Sequence, residues 1–190
     1  SVAELVFSHL YGCVRFLHSS NRNMPLEGDS NFKGLKKAYA KGIELRGKTL
    51  GIIGFGRIGQ EVAKIGLGIG MNIIASDKFI ENHSIKLSLY NGDSINVKIK
   101  TESLISVLQK SDFISLHVPA QENYVIGKNE FSEMKNGAVI VNASRGGVLD
   151  EVALIDSLEQ PVILEPMSKF PVVRDLQVDR SRMFENLKKV

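Results

Sequence analysis

Thr49-Leu50-Gly51-Ile52-Ile53-Gly54-Phe55-Gly56-Arg57-Ile58-Gly59-Gln60 reads as a buried strand, a tight turn and the first turn of a helix. Its last three glycines stand at G-x-G-x-x-G spacing, and each answers a different steric demand. Gly54 lets the chain turn sharply off the strand, where a side chain would force a strained dihedral. Gly56 removes a Cβ so that the backbone can approach a pyrophosphate, and Gly59 lets the new helix sit close against the strand. The N–H groups at the helix start and the positive end of its dipole favour a phosphate pair.

Glycine-rich turns also arise for structural reasons alone, so the flanks decide the reading. The helix behind the turn carries an apolar stripe of Ile58, Val62 and Ile65. A second apolar strand, Met71-Asn72-Ile73-Ile74-Ala75-Ser76, ends in Asp77. That offset suits a carboxylate holding an adenosine ribose. Asp77 could instead merely open a turn; the complete β-α-β unit favours the nucleotide.

On the upstream side, residues 2–18 predict a helix with a broad stripe of Val2, Leu5, Val6, Leu10, Cys13, Val14 and Leu17. The stripe is wide enough to suggest burial on more than one side. His9 and His18 near this helix are given no chemical role. Residues 21–47 are rich in Asn, Lys and Gly and broken by Met24-Pro25. They read as an extended arm with a short turn of helix at 35–39, either wrapping a partner subunit or forming a plain loop.

Downstream, two alternating runs flank Asn91-Gly92: Ser84-Ile85-Lys86-Leu87-Ser88-Leu89-Tyr90 and Ser94-Ile95-Asn96-Val97-Lys98-Ile99-Lys100. This predicts an inserted β-hairpin covering a sheet edge or a neighbouring subunit. The α/β alternation then resumes. A helix spans 101–110, capped by Thr101 or Ser103, and a strand spans 112–118 and closes at Pro119. Another helix covers 128–135 with Phe131 and Met134 inward, and another strand covers 137–142. A last clear helix opens at Asp150 with Val152, Leu154, Ile155 and Leu158. Repeated strand–helix units with short links predict an α/β fold, a doubly wound parallel sheet covered by helices on both faces. Beyond Gln160 the pattern weakens to a short strand at 161–166 and an amphipathic helix at 178–189. The expected division is a domain over 1–160 and a tail over 161–190.

A formal net charge of +3, spread along the chain, demands neither a nucleic acid nor a membrane partner. The single cysteine, Cys13, excludes an internal disulfide and reads as a buried thiol. No metal site is assigned. Without a visible signal peptide or membrane span, a cytoplasmic location is expected. Ser1 in place of a methionine suggests a processed piece or a fragment.

A dinucleotide supplies half of a hydride transfer; the other half needs an acid/base and a group that holds the substrate. Arg145, just past a strand's carboxyl end, suits the holding role, because its guanidinium can fork onto a carboxylate. It could equally cap a helix or pair with Asp150. His117 also ends a strand on this edge. It could serve as acid/base or pack near the adenine half, and the following Val118-Pro119 favours packing.

Taken together, these residues resemble the D-isomer-specific 2-hydroxyacid dehydrogenase family, in its NAD-binding domain. The matching pieces are Val2-Ala3-Glu4-Leu5, residues 45–59, Asp77, Leu116-His117-Val118-Pro119, and residues 141–151 from Val141-Asn142-Ala143-Ser144-Arg145 onward. They are collinear over residues 1–158, and the nearest likeness is to D-3-phosphoglycerate dehydrogenase-like members. The resemblance implies a Rossmann-type fold and NAD, with Arg57 and Ile58 meeting the pyrophosphate beside Gly54, Gly56 and Gly59. It implies that Asp77 holds the ribose and disfavours a 2′-phosphate, and that His117, Val118 and Pro119 line the adenine side. Ala143, Ser144 and Arg145 would approach the nicotinamide, with Arg145 as the catalytic arginine. The substrate would be a small 2-hydroxy or 2-oxo acid, with 3-phosphoglycerate as one option. Residues 2–47 would form a homodimer interface.

The chain departs from the family in two places. The family's substrate domain precedes the opening helix, so that domain is expected to be largely missing here. The family also uses a glutamate and a histidine after the arginine, and no histidine follows Arg145 in this sequence. Glu165-Pro166 lies too close to Arg145 to match the glutamate motif. An alternative reading is therefore a non-catalytic NAD-binding or dimerisation module, or a truncated relative.

Overall fold

The computed structural model describes residues 1–159 and the backbone of Val173–Arg174. The strand expected at 161–166, the helix at 178–189 and Glu165-Pro166 lie outside the described residues. In chain order, α1 (Val2–Val14) and α2 (Leu17–Tyr39) lead into β1 (Thr49–Ile53), α3 (Arg57–Gly68) and β2 (Asn72–Ser76). A hairpin of β3 (Asn82–Ser88) and β4 (Ser94–Lys100) follows. Then come α4 (Leu104–Lys110), β5 (Phe113–Leu116), α5 (Lys128–Ser132), β6 (Val139–Asn142), α6 (Glu151–Glu159) and β7 (Val173–Arg174).

The main sheet has the order β2-β1-β5-β6-β7, and every pairing in it is parallel. Alternation along each strand splits the apolar residues between two cores. Leu50 and Ile52 of β1, with Val139 and Val141 of β6, face α1, α3 and the hairpin. Ile53, Ile114, Leu116 and Ile140 face the other way, onto Val107 and Leu108 of α4 and Leu154 of α6. Burial on both faces is why these strands read as unbroken apolar runs. The expected doubly wound parallel sheet is the fold observed.

Several elements differ from the sequence expectation. The opening helix ends at Val14, because Phe16 takes a left-handed conformation (φ 55°) and reverses the chain. The stretch expected as an extended arm is instead the long helix α2, with Pro25 inside it and a kink at Asn31 (φ −131°, ψ 28°). Proline removes one N–H and one helical bond but has a φ that suits a helix, so it bends or weakens the element without abolishing it. Of the described apolar residues in α2, Leu35 is buried whereas Leu26 and Phe32 are exposed. Val2 and Leu17 of the opening stripe are exposed, as are Ile58, Val152 and Leu158, each of which lies toward an end of its helix. Cys13 is half-buried, and burial pushes its thiol up to about 11. Of the two caps expected for α4, Ser103 rather than Thr101 is the one seen; its hydroxyl accepts from the Ser106 amide at 3.3 Å.

The hairpin is present and antiparallel, in register from Asn82↔Lys100 to Ser88↔Ser94. It closes through a five-residue loop in which Gly92 has φ 91° and the Leu89 amide donates to the Asp93 carbonyl at 2.8 Å. Ile85 and Ile99 plug into the α1/α3 core. The Glu102 amide then donates to the Ala75 carbonyl at 2.8 Å, which ties the end of the hairpin to the outer edge of β2. Of the two roles expected for it, covering a sheet edge is the one seen.

Candidate functional site

Parallel strands end on one side, so the segments after β1, β2, β5 and β6 share one sheet edge. The chain leaves β1 through α3 toward β2, then crosses to β5 on the other side of β1. The crevice at the ends of β1 and β5 is thus the point where strand order reverses, the usual ligand position in open α/β sheets.

The three glycines of the turn stand in three different surroundings. Gly54 has φ 92°, and a Cβ there would lie 2.6 Å from the His117 carbonyl oxygen. A Cβ on Gly59 would lie 2.2 Å from the Gly54 carbonyl oxygen, so α3 can start this close to β1 only with glycine. A Cβ on Gly56 would meet nothing within 4 Å among the described residues. Among the described residues the space in front of Gly56 is open, beside the exposed Arg57 and Ile58 at the start of α3. A doubly charged phosphate pair fits that cradle, with backbone N–H groups and the helix dipole to receive it.

Asp77, just past β2, accepts backbone amides on both carboxylate oxygens. Its Oδ2 accepts from the Phe55 amide at 2.7 Å. Its Oδ1 accepts from the amides of Phe79 at 2.8 Å and Ile80 at 3.1 Å. Asp77 thus does open a turn, and it also reaches across to the glycine turn. Gln60 adds a second brace, donating from Nε2 to the Phe55 carbonyl at 2.9 Å.

His117 lies between Gly54 and the buried Ser115. Its amide donates to the Ile53 carbonyl at 2.7 Å, and its Nε2 is 2.8 Å from Ser115 Oγ. Burial lowers its pKa to about 4, so the ring is neutral near pH 7. Val118 packs on the second core and Pro119 is exposed. The ring is thus set against Ser115 and the end of β1.

Past β6, Asn142 organises the remaining loop. Its Oδ1 accepts from Ser144 Oγ at 2.8 Å and from the Ser144 amide at 3.1 Å. Its Nδ2 donates to the Arg145 carbonyl at 3.3 Å. Ala143 packs against the first core, while Arg145 is exposed and donates from Nη1 to the Ser144 carbonyl at 3.0 Å. The Asp150 carboxylate is occupied elsewhere, accepting from the amides of Val152 and Ala153 at the start of α6. The alternative in which Arg145 pairs with Asp150 is not seen among the described residues. The sequence-expected residues therefore gather on one edge: the glycine turn, Asp77, the 117–119 turn and the 143–145 loop. Asn142 and Gln60 were missed. An Asn two residues before a Ser at a strand end is the local signal for Asn142; Gln60 carried none, since its bond spans a turn.

Comparison with known proteins places these features in a family. The profile of "D-isomer specific 2-hydroxyacid dehydrogenase, NAD binding domain" matches residues 7–165. The chain is 41% identical over 160 residues to the hydroxypyruvate reductase of Thermotoga maritima, covering 83% of this chain and 46% of that protein. It is 37% identical over 163 residues to the D-3-phosphoglycerate dehydrogenase of Methanocaldococcus jannaschii, covering 84% of this chain and 28% of that one. Among solved structures, the NAD-dependent formate dehydrogenase from Staphylococcus aureus in complex with NAD superposes with a TM-score of 0.65 at 27% identity. That likeness covers 83% of this chain and 43% of that one. The chain thus spans less than half the length of these relatives. From its turn, its acid after β2 and its loop after β6, as from these likenesses, the chain belongs to the D-isomer-specific 2-hydroxyacid dehydrogenase family and corresponds to its NAD-binding domain.

Proposed function

We propose that this chain is the NAD-binding portion of an oxidoreductase that moves a hydride between NAD and a small D-2-hydroxy acid or its 2-oxo partner. The observation that carries the reading is the convergence of the Gly56 cradle, Asp77 and the Arg145 loop on one sheet edge. When bound, NAD supplies the hydride acceptor. The amides at the start of α3, with Arg57 and Ile58, hold the pyrophosphate, and Asp77 holds the adenosine ribose and repels a 2′-phosphate. His117, Val118 and Pro119 wall the adenine side, and Ala143 and Ser144 approach the nicotinamide. Arg145 holds the substrate carboxylate and polarises the neighbouring carbonyl. His117, neutral and set against Ser115, is given no part in proton transfer.

The relatives carry the names hydroxypyruvate reductase, glyoxylate reductase and D-3-phosphoglycerate dehydrogenase, so the substrate class offered is a 2-hydroxy acid, with 3-phosphoglycerate one member. The full-length protein that contains this chain should oxidise such an acid with NAD. Arg145→Lys should cut kcat/KM by about a hundredfold or more, because lysine cannot fork onto a carboxylate. An unchanged kcat/KM would remove Arg145 from the role.

The same reading includes a homodimer through residues 2–47 in the cytoplasm. It is supported by the apolar side chains that α1 and α2 leave uncovered: Val2, Tyr11, Leu17, Leu26 and Phe32. Among the described residues no helix is long and apolar enough to cross a membrane. Sedimentation should find two copies, and Leu26→Glu with Phe32→Glu should give one; an unaltered mass would rule out this face.

A further inference from the structure

We propose that Asn142 is a positioning residue that commits the only proton of the Ser144 hydroxyl, so that Ser144 meets the cofactor as a hydrogen-bond acceptor and selects the NH2 group of the nicotinamide carboxamide. This role rests on the reading proposed above, in which Ser144 approaches the nicotinamide, and adds to it the chemical group that Ser144 selects.

Two backbone groups fix the orientation of the Asn142 side-chain amide. The Ser144 N–H, 3.1 Å from Oδ1, can only donate, so the atom facing it is the carbonyl oxygen. The Arg145 carbonyl, 3.3 Å from Nδ2, can only accept, so the atom facing it is the NH2 nitrogen. A flipped amide would set donor against donor at one end and acceptor against acceptor at the other. With Oδ1 so placed, the Ser144 hydroxyl 2.8 Å away has one way to bond to it, which is to donate. A serine hydroxyl carries one proton and two lone pairs. The proton is spent on Asn142, and the lone pairs are what Ser144 has left to offer.

Asn142 can hold this polarity because it is itself held. It closes β6, in register with Leu116 of β5 and Arg174 of β7, so its backbone belongs to the sheet and not to the loop. Ser144 is half-buried, and the Arg145 guanidinium folds back onto the Ser144 carbonyl at 3.0 Å. A nicotinamide carboxamide presents one acceptor, its carbonyl oxygen, and one donor group, its NH2. A hydroxyl free to turn would bond either. A hydroxyl whose proton is committed bonds the NH2 alone, and so fixes which way the carboxamide is turned.

The test compares NADH with its reduced 3-acetylpyridine analogue, which keeps the carbonyl oxygen and carries a methyl group in place of the NH2. Both are titrated by calorimetry into the full-length protein that contains this chain and into its Ser144→Ala, Asn142→Ala and Asn142→Asp variants, with a melting curve of each as a check on folding. The parent should bind NADH about three- to tenfold more tightly than the analogue, the worth of one hydrogen bond. That ratio should fall toward one in Ser144→Ala, which loses the acceptor. It should also fall in Asn142→Ala, whose freed hydroxyl can donate to the carbonyl of either dinucleotide. Asn142→Asp keeps an accepting oxygen and should keep the ratio. A merely structural role would weaken both dinucleotides alike and leave the ratio where it was. A parent ratio near one, or a ratio unchanged in Ser144→Ala, would overturn the selection by Ser144. A ratio kept in Asn142→Ala, or lost in Asn142→Asp, would overturn the part given to Asn142, and the second outcome decides even if Asn142→Ala does not fold. Equal binding of the two dinucleotides by the parent removes this proposal alone; binding of neither removes the cofactor reading and this proposal with it.

Discussion

Gly54, Gly56 and Gly59 are chemically identical and structurally distinct. At Gly59 the missing Cβ is excluded by the Gly54 carbonyl, at 2.2 Å. Gly59→Ala should therefore lower stability by about 1–3 kcal/mol, because backbone must shift to admit the methyl group. Gly56 faces open space, so Gly56→Ala should leave the melting temperature nearly unchanged while weakening NADH binding at least tenfold. Melting curves with calorimetric titrations read both, and equal destabilisation by the two variants would contradict the assignment. The spacing of these glycines and the separate demand on each were readable in the sequence; that the His117 carbonyl is what excludes a Cβ at Gly54 was not, since that depends on where the turn after β5 passes. His117 makes a second residue-scale prediction. Burial lowers its pKa from 6.5 to about 4. Between those values the unfolded chain binds a proton that the folded chain refuses. The stability from a neutral His117 is thus complete above about pH 6.5 and is lost as pH falls toward 4, by about 3 kcal/mol at most. Urea melts across that range should show the loss, and His117→Asn should flatten it; an equal slope in the variant would assign the effect to other groups. Asp112 titrates lower: burial opposes its charge, but the Thr49 amide and the Lys135 ammonium at 3.0 Å outweigh that and hold its carboxyl below the usual range.

The hairpin and α2 show what an element reveals of itself in sequence. The hairpin was legible because one face is buried and the other wet, which writes a period of two into the chain. Ile85 and Ile99 point into the core while Lys86, Lys98 and Lys100 are exposed. Ile85→Ala should cost about 2–4 kcal/mol and raise proteolytic cutting in the 89–93 loop. Little change in either would mean that the hairpin is held by the β2 edge alone. By contrast, α2 was illegible. It buries little within this chain, so no stripe marks it, and Pro25 and its glycines argued for a loop. In the homodimer proposed above, a second copy would cover Leu26 and Phe32, and that contact leaves no stripe toward the core of one chain. The loop after β6 is intermediate: Arg145 stood out by its place at a strand end, whereas Asn142, which braces that loop, hid inside the strand.

At the scale of the whole chain, strand order is the deciding feature. The β2-β1-β5-β6-β7 order puts four segments far apart in sequence on one edge, with the crevice between β1 and β5 at the middle. A doubly wound parallel sheet followed from the repeated strand–helix units and the first β-α-β turn; the strand order did not, because it depends on which neighbour each strand pairs with. This edge binds NAD, and calorimetric titration of NADH into the chain reads that binding. One NADH should bind saturably per chain, and NADPH about tenfold or more weakly, because its 2′-phosphate would confront Asp77. Absence of NADH binding by the folded parent chain would contradict it.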